Sequence, residues 1–471
     1  MPSSQVNAPT AREPGVATAP VAARRVLGAA GWLHDATIQV DAGGLIAAVD
    51  AGAAVGQAPD TVVVPGMANV HSHAFQRAMA GSAERAGSGP ESFWTWRERM
   101  YRLAQRLSPR DLETIATLLY VEMLEAGYTS VAEFHYLHHA PGGVRHADAA
   151  AASRALLSAA ATTGIRITLL PVLYMYSGFG AQPPEPEQAA FVHPVGEYLA
   201  LLDSLLAEAS GTARIGIAFH SLRAVAPAAM AQVLAWRARH APGCPVHIHV
   251  AEQLQEVHEC EAWSGRRPVE WLLHQGFIDR HWCLVHATHT TEAELRGLAK
   301  VGAVVGLCPT TEANLGDGLF PLAEFLAAGG RFGIGSDSQV SVSPIEELRW
   351  LEYGQRLLHG RRSIAASETD PHCGSRLFRA AIDGGSRALG QGGAAVAAGQ
   401  AADLVMLDGS HPLLAGAQDD ELLDRFVFAG NRPLVARVTV AGREVVREGR
   451  HVLADEAAAA FRDLMNRLRA G

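Results

Sequence analysis

Thr61-Val-Val-Val-Pro-Gly-Met-Ala-Asn-Val-His71-Ser-His73-Ala-Phe-Gln76 is an apolar, β-branched run that ends in two histidines one residue apart. Side chains alternate faces along an extended chain, so His71 and His73 point the same way, and one divalent metal can be held by both imidazoles. Alone, such a pair is as often two ordinary surface or core histidines. The pattern downstream separates the two readings.

Seven further apolar runs end in polar residues: 130–136, 165–174, 215–223, 246–252, 283–286, 304–308 and 332–337. Helical patterns lie between them. Ser108-Pro109-Arg-Asp111 supplies an N-cap, a proline at the first helical position and an acid in the first turn, and Gly127 ends the amphipathic run that follows. Eight strand–helix units predict an α/β fold, a (β/α)8 TIM-like barrel over residues 65–389. An open doubly wound sheet would carry a Gly-rich phosphate turn after its first strand, and none is present there.

Short alternating runs at both ends of the chain predict a second unit. Arg24–Gly28, Thr37–Asp41 and Leu45–Asp50 have counterparts at Ala402–Asp408, Phe426–Gly430 and Ala436–Val446. Each set has too few strands to bury a core, so residues 23–64 and 390–455 are expected to pair into one small β-sandwich. Residues 1–22, rich in Pro, Ala, Ser and Thr, read as a disordered-like N-terminus. Residues 456–471 read as a C-terminal helix suited to docking or to dimer contact.

With 471 residues, 48% hydrophobic and 18% charged, the chain has ample core. It shows no run of about eighteen apolar residues and no signal-peptide centre, which points to a cytoplasmic protein without a membrane span. A net charge of -9 disfavours a nucleic-acid binder. The five cysteines show neither C-x-x-C spacing nor an even-numbered framework. Lys300, the only lysine, lies on a helical surface segment. A metal-bridging or Schiff-base lysine is therefore disfavoured, and one metal per chain is expected.

The C-terminal strand ends of a barrel converge on one face, so polar residues there become neighbours. Strand one brings His71 and His73, strand five His249 and Glu252, strand six His286, and strand eight Asp337. Three imidazoles and a carboxylate suit zinc, which lowers the pKa of bound water to about 7. Glu252 is placed to give a proton to a substrate nitrogen, and Asp337 to touch metal and water. His286 either completes the ligand set or orients the nucleophile. His247 is two residues deeper than His249 and reads as core or support. His135, His138, His139 and His289 take hydrogen-bonding, solvent or substrate roles by default. The stretches 81–107, with Phe93, Trp94, Trp96 and Tyr101, and 176–194 are expected over the barrel mouth.

These features resemble the amidohydrolase superfamily along the whole chain. More narrowly, Pro65–Arg77, Phe93-Trp-Thr-Trp-Arg97, Ala132-Glu-Phe-His-Tyr136, Phe219-His-Ser-Leu-Arg223, Cys308–Gly316 and Gly335-Ser-Asp-Ser338 resemble the formimidoylglutamate deiminases, hydrolases of histidine degradation. The resemblance implies zinc, with iron as an alternative, on His71, His73, His249 and Asp337, and Glu252 and His286 in catalysis. It implies Gln76, Arg97, Tyr136, His220 and Arg223 around a small dicarboxylate substrate, formiminoglutamate, attacked at its formimino carbon by zinc-bound hydroxide. A homodimer is expected. Arginine forks suit carboxylates. Gln339, after Asp337-Ser338, departs from the pattern and is expected at the barrel mouth. The rival readings are a deaminase of the same superfamily acting on a guanine- or cytosine-like ring, and a non-catalytic barrel.

Overall fold

Strand one of the barrel, Met67–Ser72, is buried along its whole length, as a parallel strand covered on both faces must be. The computed structural model describes residues 19–53, 59–85 and 92–470. Most of the stretch expected to be irregular, 1–22, lies outside these, as do residues 86–91 of the 81–107 excursion; the first strand begins at Val21.

Around the barrel follow strand two (Tyr128–His135), three (Arg166–Leu173), four (Ala213–Ile215 and Ile217–Phe219) and five (Val246–Val250), then six (Trp282–His286), seven (Val304–Leu307) and eight (Arg331–Ile334). Every neighbouring pair is parallel. Strand eight returns to strand one through Ile334 and Asn69, which closes the ring. Gly335 is required at that closure, since a Cβ there would come within 2.8 Å of the His71 carbonyl oxygen. Helix Pro109–Ala126 forms as its caps predict: Ser108 Oγ accepts from the Asp111 N–H at 3.3 Å, the Asp111 carboxylate accepts from the Ser108 N–H at 3.0 Å, and Gly127 turns left-handed with φ 100°.

The two chain ends do combine. Their strands hydrogen-bond as one eight-stranded sheet in the order Arg450–His451, Arg443–Arg447, Val435–Val440, Leu404–Asp408, Thr61–Pro65, Val21–Gly28, Gly31–Val40, Ile46–Asp50. This sheet buries its own small core, with Val26, Ile38, Ile46, Val63, Leu404 and Met406. One expected strand is corrected: Phe426–Phe428 ends the helix Asp420–Phe428. Leu422, Leu423, Phe426 and Val427 repeat at helical spacing and bury one face, a period that a five-residue window starting at Phe426 conceals. Helix Ala454–Ala470 ends the described chain and packs against Pro109–Ala126.

Candidate active site and metal centre

His71 is the next-to-last residue of strand one, and His73 follows directly after the strand. Their Nε2 atoms are 3.1 Å apart, and His249 Nε2 lies 2.9 Å from His71 Nε2. A backbone carbonyl can only accept. His73 Nδ1 therefore donates to Phe134 O at 2.8 Å and His249 Nδ1 to His220 O at 3.0 Å, which leaves the Nε2 of both as bare lone pairs. A proton on His71 can serve only one of them. A single divalent cation serves all three, and Asp337 Oδ1, at 3.5 Å from His71 Nε2 and 3.4 Å from His73 Nε2, is its anionic neighbour.

All four groups are buried. Burial and the neighbouring His73 push His71 down to about 3, and burial likewise lowers His73 and His249, so the imidazoles are in the neutral form a metal requires. Burial works against the charge of Asp337, but His71, His73 and His286 outweigh it and hold the carboxyl below its ordinary range.

The backbone here is strained. Ala251, His286 and Asp337, at the ends of strands five, six and eight, have φ of 51°, 68° and 45°. Non-glycine residues adopt this left-handed region at a cost of about 1 kcal/mol or more, and such turns collect at functional sites. A buried network holds them. Ser72 Oγ donates to Glu133 at 2.7 Å and the Ala74 N–H to its other oxygen at 2.6 Å, while Glu256 accepts from the N–H groups of Ala251 and Glu252.

Glu252 and His286 stand beside Asp337. His286 Nε2 is 3.7 Å from Glu252 Oε1 and 3.7 Å from Asp337 Oδ2, and its Nδ1 is 3.2 Å from Glu312. Burial raises Glu252 to about 7, with Asp337 adding to it and His286 opposing. For His286 burial favours the neutral ring, but Glu252, Glu312 and Asp337 together raise it to about 10.

A cavity opens above the candidate metal cluster, lined by His73, Gln76, Arg97, Tyr136, His220, Arg223, His249, Glu252, His286 and Asp337. Every residue given a metal-binding, catalytic or substrate-binding role in the sequence thus reaches this one space except His71, which lies in the cluster beneath it. Gln76 Nε2 donates to the Tyr136 hydroxyl at 2.9 Å, and Gln76 Oε1 is buried without a partner. The helix Phe93–Ala104 carries Arg97, whose guanidinium lies 4.4 Å from the ring centroid of Trp94 and 5.5 Å from that of Tyr101. Arg223, from the turn after strand four, is 5.8 Å from Trp94, with its Nε buried and unpartnered. Among the described residues neither arginine has a carboxylate within 4.0 Å.

Residues 62–445 match the amidohydrolase family. The chain belongs to this family. It is 52% identical over 450 residues to a formimidoylglutamate deiminase of Pseudomonas aeruginosa, covering 95% of this chain and 98% of that one. A crystal structure of an amidohydrolase from Brucella melitensis superimposes with a TM-score of 0.90 at 44% identity, covering 95% of this chain and 99% of that one. An adenosine deaminase from Xanthomonas campestris, solved with bound zinc, shares the fold with a TM-score of 0.79 at 23% identity, covering 98% and 100%.

Against this amidohydrolase frame, one expectation changes. Gln339 does not line the cavity. It is fully buried behind strand eight, where its amide donates to the Asp337 carbonyl at 2.6 Å and to Ser72 Oγ at 3.0 Å, and its Oε1 accepts from Ser336 Oγ at 2.7 Å. A φ of 63° swings its side chain back under the ligand turn. His247 donates to Ala388 O at 2.8 Å and is core. His138 and His139 bond the carbonyls of Val172 and Val192, away from the cavity. Glu312 and Glu133 had no role in the sequence reading. Glu312 lay inside a block quoted above, but only the fold shows which ring it faces.

Proposed function

We propose that this amidohydrolase removes the imino nitrogen of N-formimino-L-glutamate by hydrolysis, giving N-formyl-L-glutamate and ammonia, in histidine degradation. The observation that carries this reading is the pair of arginines, without carboxylate partners among the described residues, that line the same cavity as the three-histidine, one-aspartate cluster. A dicarboxylate with an amidine at its far end satisfies both at once. A neutral guanine- or cytosine-like ring leaves the arginine cations in the pocket unanswered.

The metal would be held by His71, His73, His249 and Asp337, one zinc per chain with iron as the alternative. When bound, it supplies Lewis acidity and a water acidic enough to act as nucleophile near neutrality. The residues do the rest. Arg97 and Arg223 grip the two carboxylates through charge-assisted hydrogen bonds, while Tyr136, Gln76 and His220 fix the chain between them. Water oxygen adds to the formimino carbon, and Glu252 takes the water proton and passes it to the imino nitrogen. His286, positively charged beside the reacting oxygen, stabilises the charge developing there. Asp337 accepts the remaining hydroxyl proton and hands it to the departing nitrogen; the carbon–nitrogen bond breaks, ammonia leaves and the formyl carbonyl forms.

The reading includes a cytoplasmic homodimer with the domain division of 65–389 for the barrel and 23–64 with 390–455 for the smaller unit. Helix Pro344–His359 supports the second copy, since it exposes Trp350, Tyr353, Leu357 and Leu358 beside exposed Leu319. Light scattering of the purified chain tests the dimer. Ammonia release from formiminoglutamate, beside guanine and cytosine, tests the activity. No release from a folded, metal-loaded protein removes the proposal.

A further inference from the structure

Asp317 lies in the turn Gly316-Asp317-Gly318 that follows helix Pro309–Leu315, 4% exposed. It does not line the cavity; it stands behind two residues that do. A carboxylate oxygen of Asp317, one of Glu252 and a ring nitrogen of His286 all lie within 4.8 Å of one another. Its backbone N–H donates to Glu312 O at 2.9 Å, which ties the turn to the acid that holds His286.

Its two oxygens have different surroundings. Oδ1 accepts from the Gln253 amide, whereas Oδ2 is buried and has no partner at all. An ionised oxygen left unsatisfied beside a second buried carboxylate is costly twice over, through lost solvation and through like charge. One proton on Asp317 removes the charge responsible for both costs, and the Glu252 carboxylate, within 4.8 Å of it, is an acceptor on the same side. The same two causes, burial first and the Glu252 charge next, push Asp317 up to about 9.

We propose that Asp317 is a positioning residue: as a neutral acid it donates from Oδ2 to the Glu252 carboxylate and holds it ionised and aimed into the cavity for proton transfer. This rests on the deimination reading for its kinetic consequence, but not for the protonation of Asp317 itself. Positioning of this kind acts on the chemical step and leaves substrate binding alone.

Two measurements on the full-length, zinc-loaded protein test it. In the infrared difference spectrum at neutral pH between wild type and Asp317→Asn, the lost band should be the carbonyl stretch of a protonated carboxyl. A lost carboxylate band overturns the proposal whatever the substrate proves to be. In steady-state kinetics Asp317→Asn, whose amide N–H replaces the O–H, should keep kcat within about threefold. Asp317→Ala should lose roughly ten- to a hundredfold in kcat, with KM and metal content unchanged. Equal losses in both variants, a loss confined to KM, an unaffected Ala variant, or a second metal equivalent that disappears with Asp317 would each overturn it. Failure of wild type to release ammonia from formiminoglutamate would instead reject the substrate reading, and the infrared band would still decide the state of Asp317.

Discussion

Glu312 Oε1 sits 3.2 Å from His286 Nδ1, on the side of the ring turned away from the carboxylates of Glu252 and Asp337. The same oxygen accepts from the Cys308 N–H at 2.8 Å, so its position is fixed by the start of the helix after strand seven. Glu312 thereby sets both the tautomer and the charge of His286. Glu312→Gln should lower the His286 pKa, because one of the carboxylates raising it is gone. The alkaline limb of the kcat/KM profile should move to lower pH, and kcat should fall about tenfold or more with KM little changed. A pH–rate series on both proteins measures this, and an unmoved alkaline limb rejects it.

The candidate metal cluster could be assembled from the sequence because each of its members lies at or just past the end of a strand. His71, His73, His249 and Asp337 follow apolar runs, and the barrel's geometry turns that local feature into a spatial one. Glu312 and Asp317 end no strand. They occupy a short helix and a turn, and their meaning comes only from facing His286 and Glu252 across the mouth. Gln339 failed for a related reason. Sequence places it two residues past Asp337, but a left-handed turn decides whether its side chain points to the cavity or beneath it. The helix at Asp420–Phe428 was lost because a short apolar run has no period of its own to report.

In the proposed mechanism Glu252 acts as base only when ionised, and burial raises it to about 7. The kcat/KM profile should therefore rise through neutral pH, reach a plateau, and fall near 10 as His286 loses its proton. Glu252→Gln should retain zinc while losing at least about a hundredfold in kcat, since it changes proton transfer and not ligation. Metal analysis beside the turnover assay checks both halves. Loss of metal in this variant would mean that Glu252 is a ligand.

In the proposed reading the two arginines divide recognition between them in a way substitution can expose. Charge-assisted hydrogen bonds are worth roughly 1.5–3 kcal/mol, so Arg223→Ala should raise KM about ten- to a hundredfold. Arg223→Lys should recover little of this, because a point charge lacks the planar fork that matches a carboxylate. Arg97→Ala should add to the effect, and also release the stacking of the guanidinium on Trp94. Titration of each variant with formiminoglutamate and with its monocarboxylate analogue separates the two: the variant that no longer distinguishes the analogue has lost the arginine that holds the missing carboxylate.

Removing the metal should abolish turnover and uncover the pH dependence of the buried imidazoles. His71 has a folded pKa of about 3 against an ordinary 6.5, from burial first and the repulsion of His73 next. A histidine with a lowered folded pKa binds its proton more readily in the unfolded chain. Its contribution is therefore complete above about pH 6.5 and drains away as the pH falls toward 3. His138, at about 3, and His247, at about 4, are held neutral by burial and act in the same direction. By linkage each costs on the order of 2 kcal/mol at pH 5. Each ring thus pulls the chelated protein toward lower stability at pH 5 than at pH 8, while Glu252 and Asp317, raised to about 7 and about 9, pull the opposite way, so the share of one ring is read as a difference between variants. His71→Asn removes one share of the slope and leaves those of His138 and His247. Melting curves of chelated wild type and His71→Asn at both pH values test the sign; a change in stability between pH 8 and pH 5 that is the same in both would contradict the neutral state assigned to His71.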